Sequence, residues 1–569
     1  MAESEERLTA VERYVPGVAS LRNYQRSWLR SDLVAGIVLA AILVPQGMAY
    51  AELAGLPPVN GLYTTIACLV GYALMGPSKI LVLGPDSSLG PLIFAAIVPL
   101  VVVGDNPATA IALAGMLAIL VGLIEVGLGV GKLGFVADLL SSEVQIGYMN
   151  GLAVTIIVGQ LPKLSGFSTD AGNFIEEVSE FVTNFDQRDA TTLAVGLATL
   201  AILLVLPRIT RAIPAVLVAV IGATVVTAVF GLEIATVGTL PKGLPTPEVP
   251  WTTIGDVVPL LIAAIGITLV SLTDTIALST SFNARLGEQV KPNQEMIGIG
   301  SANIAAGFFQ GFAVSSSSSR TAVAEQAGAK SQLTGVIGAA VVVLLLLFFN
   351  GLLADLPNSA LAAVVIAAGL SLTDFAVLRR VWKIRRSAVV LSLVASTGVI
   401  FLGVLEGIVV AVVLSILLFF SRNWWPHGEV LGRVNGREGW HSDAGGEGID
   451  EHPAVLVFRW EAPLFFANSG MFAEEVRRLV YERRPAWVLL QCEAITDIDV
   501  TAAGMLERLD NELNAKGVHL AFAELRTRLR DLVQDYGLHK TLDRDHFYAS
   551  IEEALSDIDS TLSEENPGL

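Results

Sequence analysis

Apolar runs of ~20 residues recur from Asp32 to about Phe420, and each is long enough to cross a bilayer as a helix. No water reaches the hydrocarbon, so such a run must bond its own backbone N–H and C=O groups. Fourteen runs can be counted, some short or broken: roughly 32–52, 58–75, 86–103, 107–129, 135–161, 190–207, 212–230, 254–284, 293–312, 318–328, 331–350, 356–373, 386–403 and 405–421. The 569 residues are 53% hydrophobic and only 16% charged, too apolar for an ordinary soluble protein. After Arg422 the texture turns to charged, alternating sequence. The expectation is a polytopic α-helical membrane protein. It has a cytoplasmic N-terminal segment 1–31, a transmembrane domain 32–422, a linker 423–450, a small α/β domain 451–558 and an acidic tail 559–569.

Basic residues orient the spans. Lys79, Lys132, Arg208 with Arg211, Arg285 with Lys291, and Lys330 follow even-numbered spans. Arg379, Arg380, Lys383, Arg385 and Arg386 follow the twelfth. The longest odd loop, Pro162 to Asp189, carries Asp170, Glu176, Glu177, Glu180, Asp186 and Asp189 instead. The positive-inside rule puts the even loops and both termini in the cytoplasm. Arg7, Arg13, Arg22, Arg26 and Arg30 precede the first span without an early apolar core, so no cleavable signal peptide is read. The expected location is the plasma membrane, the inner membrane of a bacterium. Of the net charge of −18, residues 423–569 hold 27 Asp/Glu against 14 Lys/Arg, so the acidity belongs mostly to the soluble domain.

Seven spans in each half, about 32–230 and 254–421, force the halves into opposite orientations, the inverted-repeat plan of many transporters. An echo agrees. Asn60 precedes "GPDSS" at Gly84–Ser88 by about the distance at which Asn293 precedes "SSSR" at Ser317–Arg320. The third and tenth spans read as half-helices entered by extended chain, which membranes tolerate only when buried in protein or lining a cavity. Two helix N-termini facing one spot would hold an anion, because their free N–H groups carry partial positive charge. Ser87, Ser88, Ser318 and Ser319 add hydroxyl donors. Arg320, costly within a span, would be offset by an anion or a carboxylate. The bland alternative is a surface loop with Arg320 snorkelling.

Asp274 is the second intramembrane charge. It is a candidate proton carrier, cation ligand or counter-ion to Arg320, or a structural hydrogen-bonding group. Asp86 reads as an N-cap, with a coupling role as the alternative. Gln46 and Tyr50 lie one turn apart on the first span and could line the site; Pro45 should disturb that helix. Cys68 and Cys492 suggest no metal site or disulfide, and no cofactor-binding or nucleic-acid-binding pattern appears. In the soluble domain "AVLVFRW", "PLFFAN", "AWVLLQCE" and "HLAFAEL" read as strands. "GMFAEEVRRLVYERR", "VTAAGMLERLDNELNAKG" and "RTRLRDLVQDYG" read as helices.

"DLVAGIVLAAILVPQGMAYAELAGLPPVNGLY" resembles the opening signature of the sulfate permease (SulP) family. "NARLGEQVKPNQEMIGIGSANIAAGFF" with "SSSSSRTAV" resembles its second-half signature. The C-terminal region resembles the STAS domain shared by sulfate transporters and anti-sigma factor antagonists. The resemblance implies core and gate subdomains, elevator-like alternating access, a homodimer, and an anion pocket. That pocket would use Gln46, Tyr50, Asp86, Ser87, Ser88, Ser318, Ser319 and Arg320. Asp274 falls where members carry an acidic residue. Sodium-dependent bicarbonate members also have aspartate there, but one of their sodium-ligand threonines is Leu278 here and they lack the match to Arg320. This departure argues for proton coupling or exchange over sodium coupling. Thr501 is the nearest match to a phosphorylatable hydroxyl, with helix capping as the plainer reading.

The expected function is secondary active transport of an inorganic anion, sulfate first, with bicarbonate, chloride or a small dicarboxylate also possible. A nucleobase–cation symporter of the same fold, an anion-conducting channel and a membrane-bound sensor are the alternatives. The expected partners are the anion, a coupling proton or sodium, membrane lipids and a second copy of the chain.

Overall fold

The computed structural model describes residues 15–565 except 102–106, 140, 170, 172, 211–212, 242, 287–288, 374, 385, 425, 427, 435, 443–448, 539–541 and 543–545. Arg7, Arg13, Asp170, Arg211, Arg385 and the last four residues of the tail lie outside the described residues. The chain divides into two compact units, Met1–Ile416 and Leu417–Leu569.

In the first unit the apolar runs form α1 (Leu29–Leu53), α2 (Pro58–Met75), α3 (Gly90–Ile97), α4 (Pro107–Val130), α5 (Ser142–Ser165), α6 (Ala190–Ile209) and α7 (Ala215–Phe230). They continue as α8 (Ile254–Leu286), α9 (Pro292–Phe308), α10 (Ser318–Gln326), α11 (Leu333–Phe348), α12 (Asn358–Leu372), then, after the short basic helix α13 (Phe375–Ile384), as α14 (Arg386–Leu402) and α15 (Val404–Trp424), whose residues from Leu417 on belong to the second unit. Among the described residues α1, α2, α4, α5, α6 and α8 are long and apolar enough to cross a bilayer, by length and composition. Pro45 does not interrupt α1, contrary to expectation: the helix runs on to Leu53. It is buried among neighbours there, and such packing lets membrane helices carry a proline.

Glycines let α4 and α9 approach backbone to backbone. A Cβ on Gly122 would stand 2.4 Å from Gly300 O, and one on Gly307 would stand 2.5 Å from Gly115 O. Without a hydrophobic drive between helices in lipid, such contact is what holds them together. Gly122→Val should therefore prevent recovery of folded, monodisperse protein from detergent, as read by size-exclusion chromatography.

Extended chain enters both half-helices. β1 (Leu83–Gly84) pairs antiparallel with β2 (Ser315–Ser316), with Leu83 opposite Ser316 and Gly84 opposite Ser315. Buried carboxyl groups hold the chain that enters the half-helices and the turn that leaves α10. Glu125 accepts from Ser271 Oγ and Asn303 Nδ2, both at 2.8 Å, and Asn303 Oδ1 accepts from Val314 N at 2.7 Å. Glu295 accepts from Tyr72 Oη at 2.7 Å and from Ser78 Oγ. Asp32 accepts from Lys330 N at 2.7 Å and Ser331 Oγ at 2.8 Å. All three residues are fully buried. Buried backbone that leaves a helix needs partners of this kind.

The second unit holds a six-stranded sheet. Its strands are β3 (Gly428–Gly432), β4 (His441–Ser442), β5 (Val455–Trp460), β6 (Trp487–Gln491), β7 (His519–Ala523) and β8 (Phe547–Tyr548). The order is β4-β3-β5-β6-β7-β8. β5 to β8 run parallel, and β3 is antiparallel to β5. The helices are α16 (Ser469–Arg483), α17 (Val500–Asn514), α18 (Thr527–Asp535) and α19 (Ile551–Glu565). Alternate residues face opposite sides of a strand. Leu456, Phe458 and Trp460 pack with Phe472, Leu506 and Leu529 of α16 to α18. Val455 and Val457 pack with Ile551, Leu555 and Ile558 of α19 on the other face.

Four sequence readings change here. "PLFFAN" is not a strand: Leu464 makes a single bridge to Ile498, and the turn after it opens α16. The expected linker 423–450 contributes β3 and β4, and Gly428 fits there because a side chain would meet the Phe458 ring at 2.4 Å. The expected tail 559–569 is helical as far as Glu565, because Ile558 and the residues before it cover the sheet. Thr501 does not cap α17. Asp499 does, accepting from Ala502 N at 2.8 Å, and Thr501 is an exposed residue inside the helix. Burial pushes the Cys492 thiol up, with the Glu524 charge adding to it. Since the thiolate is the reactive form, maleimide should leave Cys492 unmodified in the native protein and label it once denaturant is added.

Candidate functional site

A cavity of about 970 Å³ lies against the two breaks. Gln46 and Tyr50 reach it from α1. Asp86, Ser87 and Ser88 reach it from the turn before α3, Asp274 from α8, and Ser318 and Ser319 from the start of α10. Every expected site residue of the first unit except Arg320 lines this one space.

The two helix starts differ. At α3, Asp86 Oδ1 accepts from Ser88 N at 3.0 Å and from Ser88 Oγ at 2.9 Å. Its carboxylate therefore caps the turn that leads into the helix, as an N-cap does. At α10, the preceding Ser317 makes no side-chain cap, and its hydroxyl lies 3.1 Å from that of Ser319 instead. The first N–H groups of α10 have no partner within the helix, and Ser318 and Ser319 are exposed toward the cavity. A carboxylate thus satisfies the turn that leads into α3, as the N-cap reading of Asp86 expects, whereas α10 has no side-chain cap.

Arg320 differs from expectation. It is 1% exposed and does not line the cavity. Its guanidinium donates to Pro85 O, to Gly84 O at 3.3 Å and to Ser315 O at 3.5 Å. It stands 3.5 Å from Asp86 Oδ2, which makes Asp86 its counter-ion. A planar fork of donors suits this convergence of carbonyls. Arg320 therefore ties β1, β2 and the α3 cap together from behind the site.

Asp274 is not the counter-ion. Gln145 Nε2 of α5 donates to its Oδ1 at 3.1 Å, and Ser88 Oγ lies 3.5 Å from its Oδ2. Gln145 was not singled out from the sequence. The signal was an amide among the apolar residues at the start of a span, where an ordinary polar end residue looks the same. Ile42, Met149, Leu203 and Val364 supply apolar walls that carried no signal at all. Leu278, standing where sodium-coupled members have a threonine, is also in the wall. The lining extends to Pro207, Gln326 and Leu372, in the last turns of α6, α10 and α12, and to Ser281, in the turn before the last of α8.

Short helices that start at paired strands beside a cavity, within a bundle of apolar helices, define a membrane transport protein rather than an enzyme. The chain belongs to the sulfate permease family, which matches residues 29–395, and it carries a STAS domain over residues 448–554. It is 40% identical to a probable sulfate transporter of Mycobacterium tuberculosis (strain CDC 1551 / Oshkosh), over 95% of this chain and 97% of that one. It is 32% identical to human solute carrier family 26 member 6, over 82% of this chain and 65% of that protein. The murine solute carrier 26 family member A9 anion transporter, in the inward-facing state, shares the fold at a TM-score of 0.88 and 23% identity, over 97% of this chain and 96% of that one. The transmembrane domain of a cyanobacterial bicarbonate transporter matches 69% of this chain and 98% of its own length, at a TM-score of 0.61 and 22% identity.

Proposed function

We propose that this chain is a secondary active transporter of inorganic anions, with sulfate as the first candidate. The observation that carries the reading is the open α10 terminus, flanked by Ser318 and Ser319, across paired strands from Ser87 and Ser88. Unpaired N–H groups and hydroxyls converge there on one cavity, and oxyanions are the ligands they suit. The mycobacterial relative, named a probable sulfate transporter, supports anion transport. Gln46 and Tyr50 complete the binding side chains, and Arg320 acts by holding the breaks together.

The fourteen segments are read as two inverted repeats of seven, with the breaks at mid-membrane. The cavity lining reaches the ends of α6, α10 and α12, which carry Arg208 or precede Lys330 and Arg379, and comes within two turns of the end of α8, which carries Arg285; the charge rule assigns these ends to the cytoplasm. The cavity therefore opens inward, and both termini are cytoplasmic. Alternating access would move the half-helix core against the walls of α5, α6 and α12, in a homodimer.

Charge supports proton coupling. Arg320 and Asp86 cancel, which leaves Asp274 facing the cavity with no cation paired to it among the described residues. An anion bound beside it meets repulsion on the order of a few kcal/mol at contact distances, and a proton on Asp274 removes that. The test is uptake of labelled sulfate, bicarbonate and fumarate into proteoliposomes, under imposed proton or sodium gradients. Sulfate accumulation driven by an inward proton gradient is expected. Accumulation driven by sodium alone, or current without accumulation, would replace this reading.

A further inference from the structure

The loop between α12 and α14 holds a helix the transport reading does not use. α13 is ten residues, "FAVLRRVWKI", joining two apolar helices. A short helix tied at both ends to apolar helices is held at the membrane surface. Arg379, Arg380 and Lys383 fall three and four residues apart, hence on one side of it. Arg386 follows at the first position of α14. All four are exposed, and among the described residues none of them has an ion-pair partner.

Apolar surface adjoins these charges. Trp382 is 50% exposed, and Val377 is also exposed. One turn past Arg386, α14 exposes Val390, Leu393 and Val394. Cations on one side, an exposed indole beside them and bare aliphatic surface within a turn match the layering of a bilayer edge. Phosphate lies outermost, then the interface where tryptophan settles, then acyl chain. A solvated face needs the charges but not the exposed tryptophan and valines. Anion steering to the cavity mouth needs no apolar surface either.

We propose that α13 binds anionic phospholipid headgroups and so fastens the end of α12, whose last turn lines the cavity, to the membrane surface. The headgroup phosphates sit on Arg379, Arg380, Lys383 and Arg386, and Trp382 inserts at the glycerol level. Each basic residue near an anionic surface contributes about fivefold in binding.

The test uses the full chain in vesicles of phosphatidylcholine, with or without an equimolar share of phosphatidylglycerol. Bromine-labelled phosphatidylglycerol should quench Trp382 emission, taken as the difference between the wild type and Trp382→Phe, more than bromine-labelled phosphatidylcholine does. Combining Arg379→Gln, Arg380→Gln, Lys383→Gln and Arg386→Gln should cut that preference by at least about fivefold. Wild-type sulfate uptake should fall in pure phosphatidylcholine, and the combined variant should be indifferent to the lipid. The quenching does not depend on which anion is carried, so it stands apart from the transport reading. Equal quenching by the two lipids overturns the proposal. So does a combined variant whose uptake falls by the same factor in both vesicle types, because the cations would then serve soluble anions at the cavity mouth.

Discussion

Arg320→Ala should abolish uptake and destabilise the protein, and Arg320→Lys should do little better. The guanidinium is buried and satisfies Pro85, Gly84 and Ser315 carbonyls while pairing with Asp86. Removing one partner of a fully buried pair costs about 3–5 kcal/mol, and the cost here is smaller because Asp86 keeps 14% exposure at the cavity wall. The orphaned carbonyls add to that. Lysine keeps the charge but is a compact point donor and cannot span the same acceptors. An arginine touching the anion directly would behave differently, since lysine would retain much of the affinity. The readouts are sulfate uptake and the unfolding temperature in detergent, with and without sulfate. Combining Arg320→Gln with Asp86→Asn should recover stability relative to Arg320→Gln alone, since no unpaired charge then remains buried. Uptake by Arg320→Lys near the wild-type level would return the guanidinium to the anion pocket.

Some span limits were legible because membrane helices announce themselves by length, although the run read as 135–161 is Ser142–Ser165. The run read as 58–75 is Pro58–Met75, and that read as 254–284 is Ile254–Leu286. The breaks were legible for the complementary reason: serines, glycines and a proline stand where an apolar helix should continue. What those residues face was not. The sequence places Asp86 and Arg320 beside the same cavity. It cannot show that the carboxylate turns back onto Ser88 while the guanidinium passes behind β1 and β2, because a pattern carries composition and spacing but no side-chain direction. Glu125, Glu295 and Asp32 went unread for a related reason. Each sits at an unremarkable place in an apolar run and acts on groups far along the chain, as Asp32 does on Lys330. In the second unit β3 was lost because Gly, Trp and charge look like a loop. β3 lies between β4 and β5, and its first three residues are only half-buried, so it gives no clear alternation.

Asp274→Asn should abolish gradient-driven accumulation while leaving exchange. The carboxyl lines the cavity, held by Gln145 Nε2 at 3.1 Å, with Ser88 Oγ at 3.5 Å. Asparagine keeps the size and one acceptor, so the site should stay assembled, and the neutral side chain mimics the protonated state permanently. An anion can then enter without bringing a proton. With the membrane potential clamped at zero, a gradient of one pH unit supplies ~1.4 kcal/mol per proton, about tenfold accumulation. The wild type should approach that ratio for each proton carried, and Asp274→Asn should stop at unity. Exchange of labelled for unlabelled sulfate at equal concentrations needs no net proton movement and should survive within a few fold. The pair of results separates coupling from binding: loss of both would make Asp274 a structural or binding group. Accumulation by Asp274→Asn at the wild-type ratio would move the coupling proton elsewhere. Asp86 would be the next carboxyl to test, although its engagement with Arg320 makes it the poorer carrier, because protonation there would leave the buried guanidinium without a counter-ion.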